Sequence, residues 1–157
     1  MDTISTADLF DEYADSLVSV PLQFQDLGGV AGFHGTIRTV VCYEDNALIR
    51  ELLATPGHGS VLVIDGGGSL NCALVGDRLA MMAVDNGWAG LIVHGAVRDR
   101  QQLGTLPLGV KALGSNPARS SQTGAGQVDV TVVIANVEFH VGSEVWCDAD
   151  GIVVTKA

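Results

Sequence analysis

Apolar side chains recur along this chain in two rhythms, one with a helical period and one made of short continuous runs. The helical rhythm appears three times. Over residues 6–17 it passes through Leu9, Phe10, Tyr13 and Leu17, with Thr6 placed as the N-cap and Pro21 as the stop. Over 44–54 it passes through Leu48, Ile49, Leu52 and Leu53, then meets Pro56-Gly57. Over 78–86 it predicts a helix that opens at Gly76-Asp77 and ends at Gly87.

The short runs predict strands. Residues 33–42 carry Thr36, Ile37, Thr39, Val40 and Val41, which suit a pleated surface. Val61, Leu62, Val63 and Ile64 stand between two turn signals, His58-Gly59-Ser60 and Asp65-Gly66-Gly67-Gly68, as a buried strand does. A second buried strand, 91–93, leads directly into His94-Gly95-Ala96-Val97-Arg98-Asp99. Strand, helix and strand in that order imply a parallel crossover unit. From Val110 onward the chain reads as strands at 110–113, 128–134, 137–141, 145–146 and 152–154, with a polar loop inside 115–127 that holds Pro117 and Arg119. The prediction is one mixed α/β domain over residues 1–157, β-rich at its end and different from a simple doubly wound sheet.

In an open α/β unit, ligands collect beyond the carboxyl ends of strands, where helix N-termini point. One such end is followed by Gly66-Gly67-Gly68 and another by Arg98-Asp99. Between them Gly76-Asp77 opens a helix and leaves the amides of Arg78 and Leu79 without partners in its first turn, so that end favours a carboxylate or phosphate. The Arg98 guanidinium can grip a carboxylate or stabilise an oxyanion. Asp99 can hold one position of a hard, largely hydrated divalent cation. Together these parts suit a 2-oxo acid whose enolate Arg98 would balance. The three glycines lack dinucleotide or P-loop spacing and read as a tight turn. His94 reads as structural, the Asp148/Asp150 pair as a turn into the last strand, and no serine has a nucleophile elbow around it.

Composition narrows the class of partner. The chain has 18 Asp and Glu against 8 Lys and Arg, a formal charge of -10, and no basic run, which argues against direct binding of nucleic acid. A basic protein segment is the more natural electrostatic partner. With 47% hydrophobic residues and 17% charged, much apolar surface would remain on a monomer, so a homo-oligomer is expected. Cys42, Cys72 and Cys147 have no metal-finger spacing and read as buried reduced thiols. No signal peptide or membrane span is apparent, so a cytoplasmic location is expected.

The segments Leu22-Gln23-Phe24 with Gly28-Gly29, Cys42-Tyr43-Glu44-Asp45-Asn46, 61–69, Ala73-Leu74-Val75-Gly76-Asp77, 90–98 and 150–154 resemble the RraA-like proteins. That family includes regulators of ribonuclease activity and class II 4-hydroxy-4-methyl-2-oxoglutarate aldolases. The resemblance implies a swivelling β/β/α domain with mixed sheets and flanking helices, assembled as a homotrimer or a dimer of trimers. It implies a lyase using Mg or Mn on pyruvyl substrates, by retro-aldol cleavage or oxaloacetate decarboxylation. Carried over residue by residue, Gly76, Asp77, Arg78, Leu79 and Arg98 would contact substrate, Arg98 would be catalytic, and Asp99 would hold the metal. Gln102 stands where many family lyases place an acid three residues after the metal aspartate. The alternative function is a non-catalytic regulator that masks basic RNA-binding segments of a ribonuclease.

Overall fold

The computed structural model describes residues 3–157. Its elements run in the order α1 (Thr6–Tyr13), β1 (Leu17–Ser19), β2 (Gln25–Asp26), β3 (Phe33–Val41), α2 (Ala47–Leu53), β4 (Val61–Asp65), β5 (Ala73–Val75), α3 (Asp77–Asp85), β6 (Gly90–Val97), α4 (Arg100–Leu103), β7 (Gly109–Ser115), β8 (Gln127–Val128), β9 (Val132–Ile134), β10 (Val137–Phe139), β11 (Glu144–Asp148) and β12 (Gly151–Thr155).

Ten strands share one mixed sheet, ordered β1-β12-β11-β3-β4-β6-β7-β2, with β5 added beside β6 and β8 beside β3. The centre is parallel: β3 with β4, β4 with β6, and β6 with β7. The crossover expected from the strand–helix–strand rhythm is therefore present, with α3 carried between β4 and β6. The flanks are antiparallel, through β11 on β12 and β3, and β2 on β7.

Alternation along β4 shows how the layers form. Leu62 and Ile64 face one core with Ile49, Leu53, Leu79, Ala80 and Ala83 from the helices. Val61 and Val63 face a second core with Val132, Ile134 and Phe139 from the β9–β10 hairpin. A strand buried on both faces must be apolar at every position, which is why this run carries no polar alternation. The resulting arrangement of hairpin, sheet and helices is the mixed α/β, β/β/α architecture expected from the sequence.

The structure corrects several element boundaries. The first helix ends at Tyr13, well before Pro21, and Leu17 lies in β1 paired with Thr155 of β12. Its N-cap is Ser5, whose hydroxyl accepts from the Asp8 amide at 3.1 Å, while Thr6 is buried and bonds Asp148 instead. The second helix begins at Ala47, because Glu44 adopts φ +54 and Asp45 is occupied in side-chain bonding. The strand expected over 128–134 breaks into β8 and β9 around Asp129, at φ +54, whose carboxylate pairs with Arg38. Strands β1, β2 and β5 and helix α4 carry no rhythm long enough to read.

Three further expectations hold in the structure. The cysteines are free and buried, and burial pushes the Cys42 thiol up to about 12. Asp148 Oδ1 accepts from the amides of Asp150 and Gly151, fixing the β11–β12 turn. Gly67 and Gly68 sit at φ +69 and +76, so the glycine run is a tight turn.

Candidate functional site

The parallel pairing of β5 with β6 places Val75 opposite Val97. The residues that leave the two strands therefore lie side by side: Gly76-Asp77 after β5, and Arg98-Asp99 after β6. The Arg98 amide donates to the Val75 carbonyl at 2.9 Å, tying the two ends together. Gly76 is the N-cap of α3, and the Asp77 amide donates to Asp99 Oδ2 at 3.0 Å. Asp99 itself has φ 62 and ψ 45, a left-handed conformation that a non-glycine residue adopts at a cost. That backbone turn is what aims its carboxylate back at the helix start.

A Cβ at position 76 would lie 2.7 Å from Asp99 Oδ2 and 3.4 Å from Arg98 Cγ. A side chain here would therefore displace the Asp99 carboxylate from the helix start. The amides of Arg78 and Leu79 have no acceptor within their own helix. The Leu79 side chain is buried in the helix-side core, so it can face a ligand through its backbone alone.

Two further walls complete a cavity of about 350 Å³. One is α2 with its cap, contributing Asn46 and Arg50; the other is the polar loop, contributing Arg119, Ser120 and Gln122. The loop is held from behind. Ala73 donates to the Ala118 carbonyl at 2.8 Å, and Ser121 donates to the Glu44 carbonyl at 2.9 Å. The buried Asp45 carboxylate accepts from the Thr123 hydroxyl and amide, both at 2.6 Å, and from the amides of Gly124 and Ala47. These hydrogen bonds, the Thr123 hydroxyl foremost, hold the Asp45 carboxyl down at about 2. Arg98 Nη1 reaches the Pro117 carbonyl at 3.3 Å, so the loop and the guanidinium support each other.

The cavity's charge opposes that of the chain. Arg50, Arg78, Arg98 and Arg119 line it, half of the eight basic residues, against Asp77 and Asp99. Such a concentration of guanidiniums in an acidic protein suits an anionic ligand. Every residue singled out from the sequence, Gly76, Asp77, Arg78, Leu79, Arg98 and Asp99, lines this one space. Asn46, Arg50 and Arg119 were not singled out. Their signal was weak: an Arg in a helix and an Arg in a Gly/Ser loop look like solvated surface.

Asn46 Nδ2 donates to the Leu74 carbonyl, while its buried Oδ1 has no partner among the described residues. His94 does not line the cavity; its Nδ1 lies 3.2 Å from Asp65 Oδ1 beneath the glycine turn, the structural role read from the sequence. Gln102 is on α4, exposed and outside the cavity.

Among the described residues no group of three or more His, Cys, Asp or Glu side chains could hold a metal ion. A fully protein-coordinated ion therefore does not fit. A largely hydrated magnesium-type ion does, because such ions take one or two carboxylates and leave other positions to water and substrate. Asp99 Oδ2 is engaged by the Asp77 amide, while Oδ1 carries no protein hydrogen bond among the described residues.

A family model described as RraA-like, Aldolase/RraA, matches residues 6–154. A protein of Alkalilimnicola ehrlichii, named a candidate 4-hydroxy-4-methyl-2-oxoglutarate aldolase, is 48% identical over 154 residues, 98% of this chain and 96% of that one. The solved RNA-processing inhibitor RraA from Thermus thermophilis is 44% identical, with a TM-score of 0.94 over 98% of this chain and 93% of that one. A solved Geobacillus kaustophilus chain, described as an S-adenosylmethionine:2-dimethylmenaquinone methyltransferase, is 46% identical, with a TM-score of 0.95 over 97% and 94%.

Proposed function

The chain belongs to the RraA-like family, and on that premise we propose that it is a carbon–carbon lyase acting on pyruvyl substrates, of the 4-hydroxy-4-methyl-2-oxoglutarate aldolase or oxaloacetate decarboxylase type. The observation that carries this reading is the meeting of Arg98 and Asp99 with the first turn of α3 in one polar cavity. The relatives' names point to different chemistries, and the polar lining of the cavity supports the lyase reading. Four guanidiniums and two carboxylates favour a small anion over an apolar quinone ring.

In this reading the substrate carboxylate docks on the Arg78 and Leu79 amides at the positive end of α3. The Asp77 amide is already taken by Asp99, which narrows the docking position to the next two donors. Asp99 would hold a divalent cation, Mg or Mn, and Asp77 nearby would orient its water shell. The cation supplies Lewis-acid polarisation of the 2-oxo group. Arg98 lies beside the same position and stabilises the negative charge that develops on the oxo oxygen as the C3–C4 bond breaks. Its tie to the Pro117 carbonyl sets the guanidinium's direction before substrate arrives.

The test is pyruvate release from both substrates, with Mg or Mn and with chelator. Metal-dependent turnover that disappears in Arg98→Ala is the expected outcome; absence of turnover on either substrate would remove the reading.

A second reading rests on the charge of -10 and the likeness to an RNA-processing inhibitor at 44% identity. Here the acidic surface covers a basic segment of a ribonuclease. Binding to an arginine-rich peptide should then weaken steeply toward 1 M salt, where charges are screened beyond about 3 Å. Salt-independent binding would contradict it. Either function would operate in an assembly of copies covering apolar side chains such as Tyr13, Tyr43 and Val133, each at least 49% exposed. Sedimentation would measure the oligomer; a homotrimer or hexamer is expected. No helix among the described residues is long and apolar enough to cross a membrane.

A further inference from the structure

Asp99 has a left-handed backbone, and a residue strained in that way keeps it only where its surroundings over-determine it. On the β5 side the hold is plain: the Arg98 amide reaches the Val75 carbonyl, and the Asp77 amide reaches Asp99 Oδ2. On the other side the chain runs into α4, four residues with one buried side chain, Leu103. The Leu103 amide donates to the Asp99 carbonyl at 2.9 Å, but a single turn is too short to be stable by itself. The start of α4 therefore needs a hold from outside the helix.

Arg100 supplies it. Its Nη2 donates to Gln25 Oε1 at 2.8 Å and its Nη1 to Ser115 Oγ at 3.1 Å. Both acceptors are fixed by the sheet. Ser115 ends β7 directly opposite Val97, two residues before Asp99. Gln25 lies in β2 opposite Ala112, and its Nε2 donates to the Leu113 carbonyl at 3.0 Å, which turns Oε1 toward Arg100. The other residue of β2, Asp26, stands opposite the buried Lys111 and pairs with it at 2.7 Å, which sets the strand's register. Both β2 residues are exposed, so this strand adds little to the core; its side chains serve as two polar anchors. Neither Arg100 nor Gln25 lines the cavity.

We infer that Arg100 and Gln25 are positioning residues, a clamp between α4 and the β2–β7 edge that keeps the Asp99 carboxylate at the start of α3. The inference rests on the lyase reading only for the metal that Asp99 would hold. Arginine suits the task because its planar fork spans two acceptors on different strands, as a lysine ammonium does not. The clamp touches neither substrate nor ion, and acts through the direction of one carboxylate.

The experiment uses the full chain as wild type, Arg100→Met, Gln25→Met and Asp99→Asn, with Mn2+ as the probe. Calorimetry reads Mn2+ affinity, and hydrogen exchange followed by NMR reads the Asp77 amide, which the Asp99 carboxylate protects. Losing an outer partner of a metal ligand weakens binding roughly 10–100-fold. Both methionine variants should therefore bind Mn2+ about tenfold more weakly or worse, and their Asp77 amide should exchange faster by about the same factor. The sign separates positioning from charge. Removing the Arg100 guanidinium takes a positive charge away from beside a cation site, so a purely electrostatic role predicts tighter binding. Gln25→Met changes no charge at all. Unchanged or tighter binding in both variants, with wild-type exchange at Asp77, overturns the clamp. Exchange at Leu62, in the core of β4, should keep its wild-type rate, and equal acceleration at Leu62 and Asp77 would mean general loosening and also overturn it. If the wild type binds Mn2+ no better than Asp99→Asn, the metal assignment of the lyase reading fails and the amide measurement alone decides. Faster exchange confined to Asp77 then sustains the clamp, and unchanged exchange removes it. Both substitutions are at exposed positions, so matching thermal unfolding curves will show that the fold is intact.

Discussion

Asp99 Oδ2 accepts the Asp77 amide at 3.0 Å, so one residue serves both as the far-sequence cap of α3 and as a wall of the cavity. Its left-handed backbone is the local strain that permits this double duty. An aspartate tolerates that conformation better than most residues, which limits what could stand there.

Asp99→Asn separates the two roles. The amide oxygen can still cap the Asp77 N–H, and asparagine accepts φ near +60, so stability should change by less than about 1 kcal/mol. The charge that holds a cation is gone. Metal-dependent pyruvate release should fall by roughly two orders of magnitude or more, in line with losing a metal ligand and its electrostatic stabilisation. Activity near wild type would contradict the metal assignment.

Gly76→Ala tests the close approach. The new methyl group would lie 2.7 Å from Asp99 Oδ2, and the carboxylate or the helix start must move. Overpacking of this kind costs about 1–3 kcal/mol. Denaturant unfolding should show that modest loss, while turnover drops far more, because a displacement near 1 Å at the site is worth about 100-fold. A variant with wild-type kcat/KM would show that the 76/99 contact is not part of the site.

Asp45 gives a pH dependence with a definite sign. Its folded-state value, about 2, lies below the usual aspartate value of about 3.9. The associated stability is therefore complete above the unfolded value and is lost as pH falls from about 4 toward 2. Denaturation midpoints measured through that window should decline, and Asp45→Asn should flatten the decline. The same variant frees the loop carrying Arg119, so it should also raise KM. A pH profile identical to wild type would contradict the role given to the Thr123 and Gly124 hydrogen bonds.

Lys111 is 2% exposed, 2.7 Å from Asp26 Oδ1, and donates to the Asp148 carbonyl. Lys111→Ala removes the donor to the Asp148 carbonyl and the partner of the exposed Asp26, and opens a hole at a buried position, so a loss of about 2–5 kcal/mol is expected. The double variant Lys111→Met with Asp26→Asn removes both charges and fills the space. It should recover most of that loss in chemical unfolding, because methionine refills the buried space left by the lysine stem. Equal losses in the two proteins would mean that the lost bond to the Asp148 carbonyl, which neither variant restores, is at stake and not the hole.

Much of the core was readable in advance, because burial imposes a period. Val61–Ile64 and Leu91–Val93 had to be apolar at every position if helices cover one face and a hairpin the other, and they are. The helix over 78–86 was legible from its glycine boundaries, and from it the local chemistry of Gly76, Asp77, Arg98 and Asp99 could be inferred. Short elements were illegible: β2 has two residues and β5 three, too few for any rhythm, and their pairing is decided by neighbours far away in sequence. The first helix stops at Tyr13 because Leu17–Ser19 gains more by pairing with β12 than by one further helical turn.

The sequence by itself determined the mixed α/β class, the parallel crossover and the residue types flanking the helix start, since these arise from local periodicity and turn chemistry. The tertiary structure alone decided that β5 adds to β6 with Val75 opposite Val97, which sets Asp99 against the Asp77 amide. It alone brought Arg50 and Arg119 into the same cavity, through Asp45 gripping a loop 78 residues away. Long-range hydrogen bonds of that kind leave no periodic trace in a chain, because each depends on two residues whose separation is set by everything folded between them.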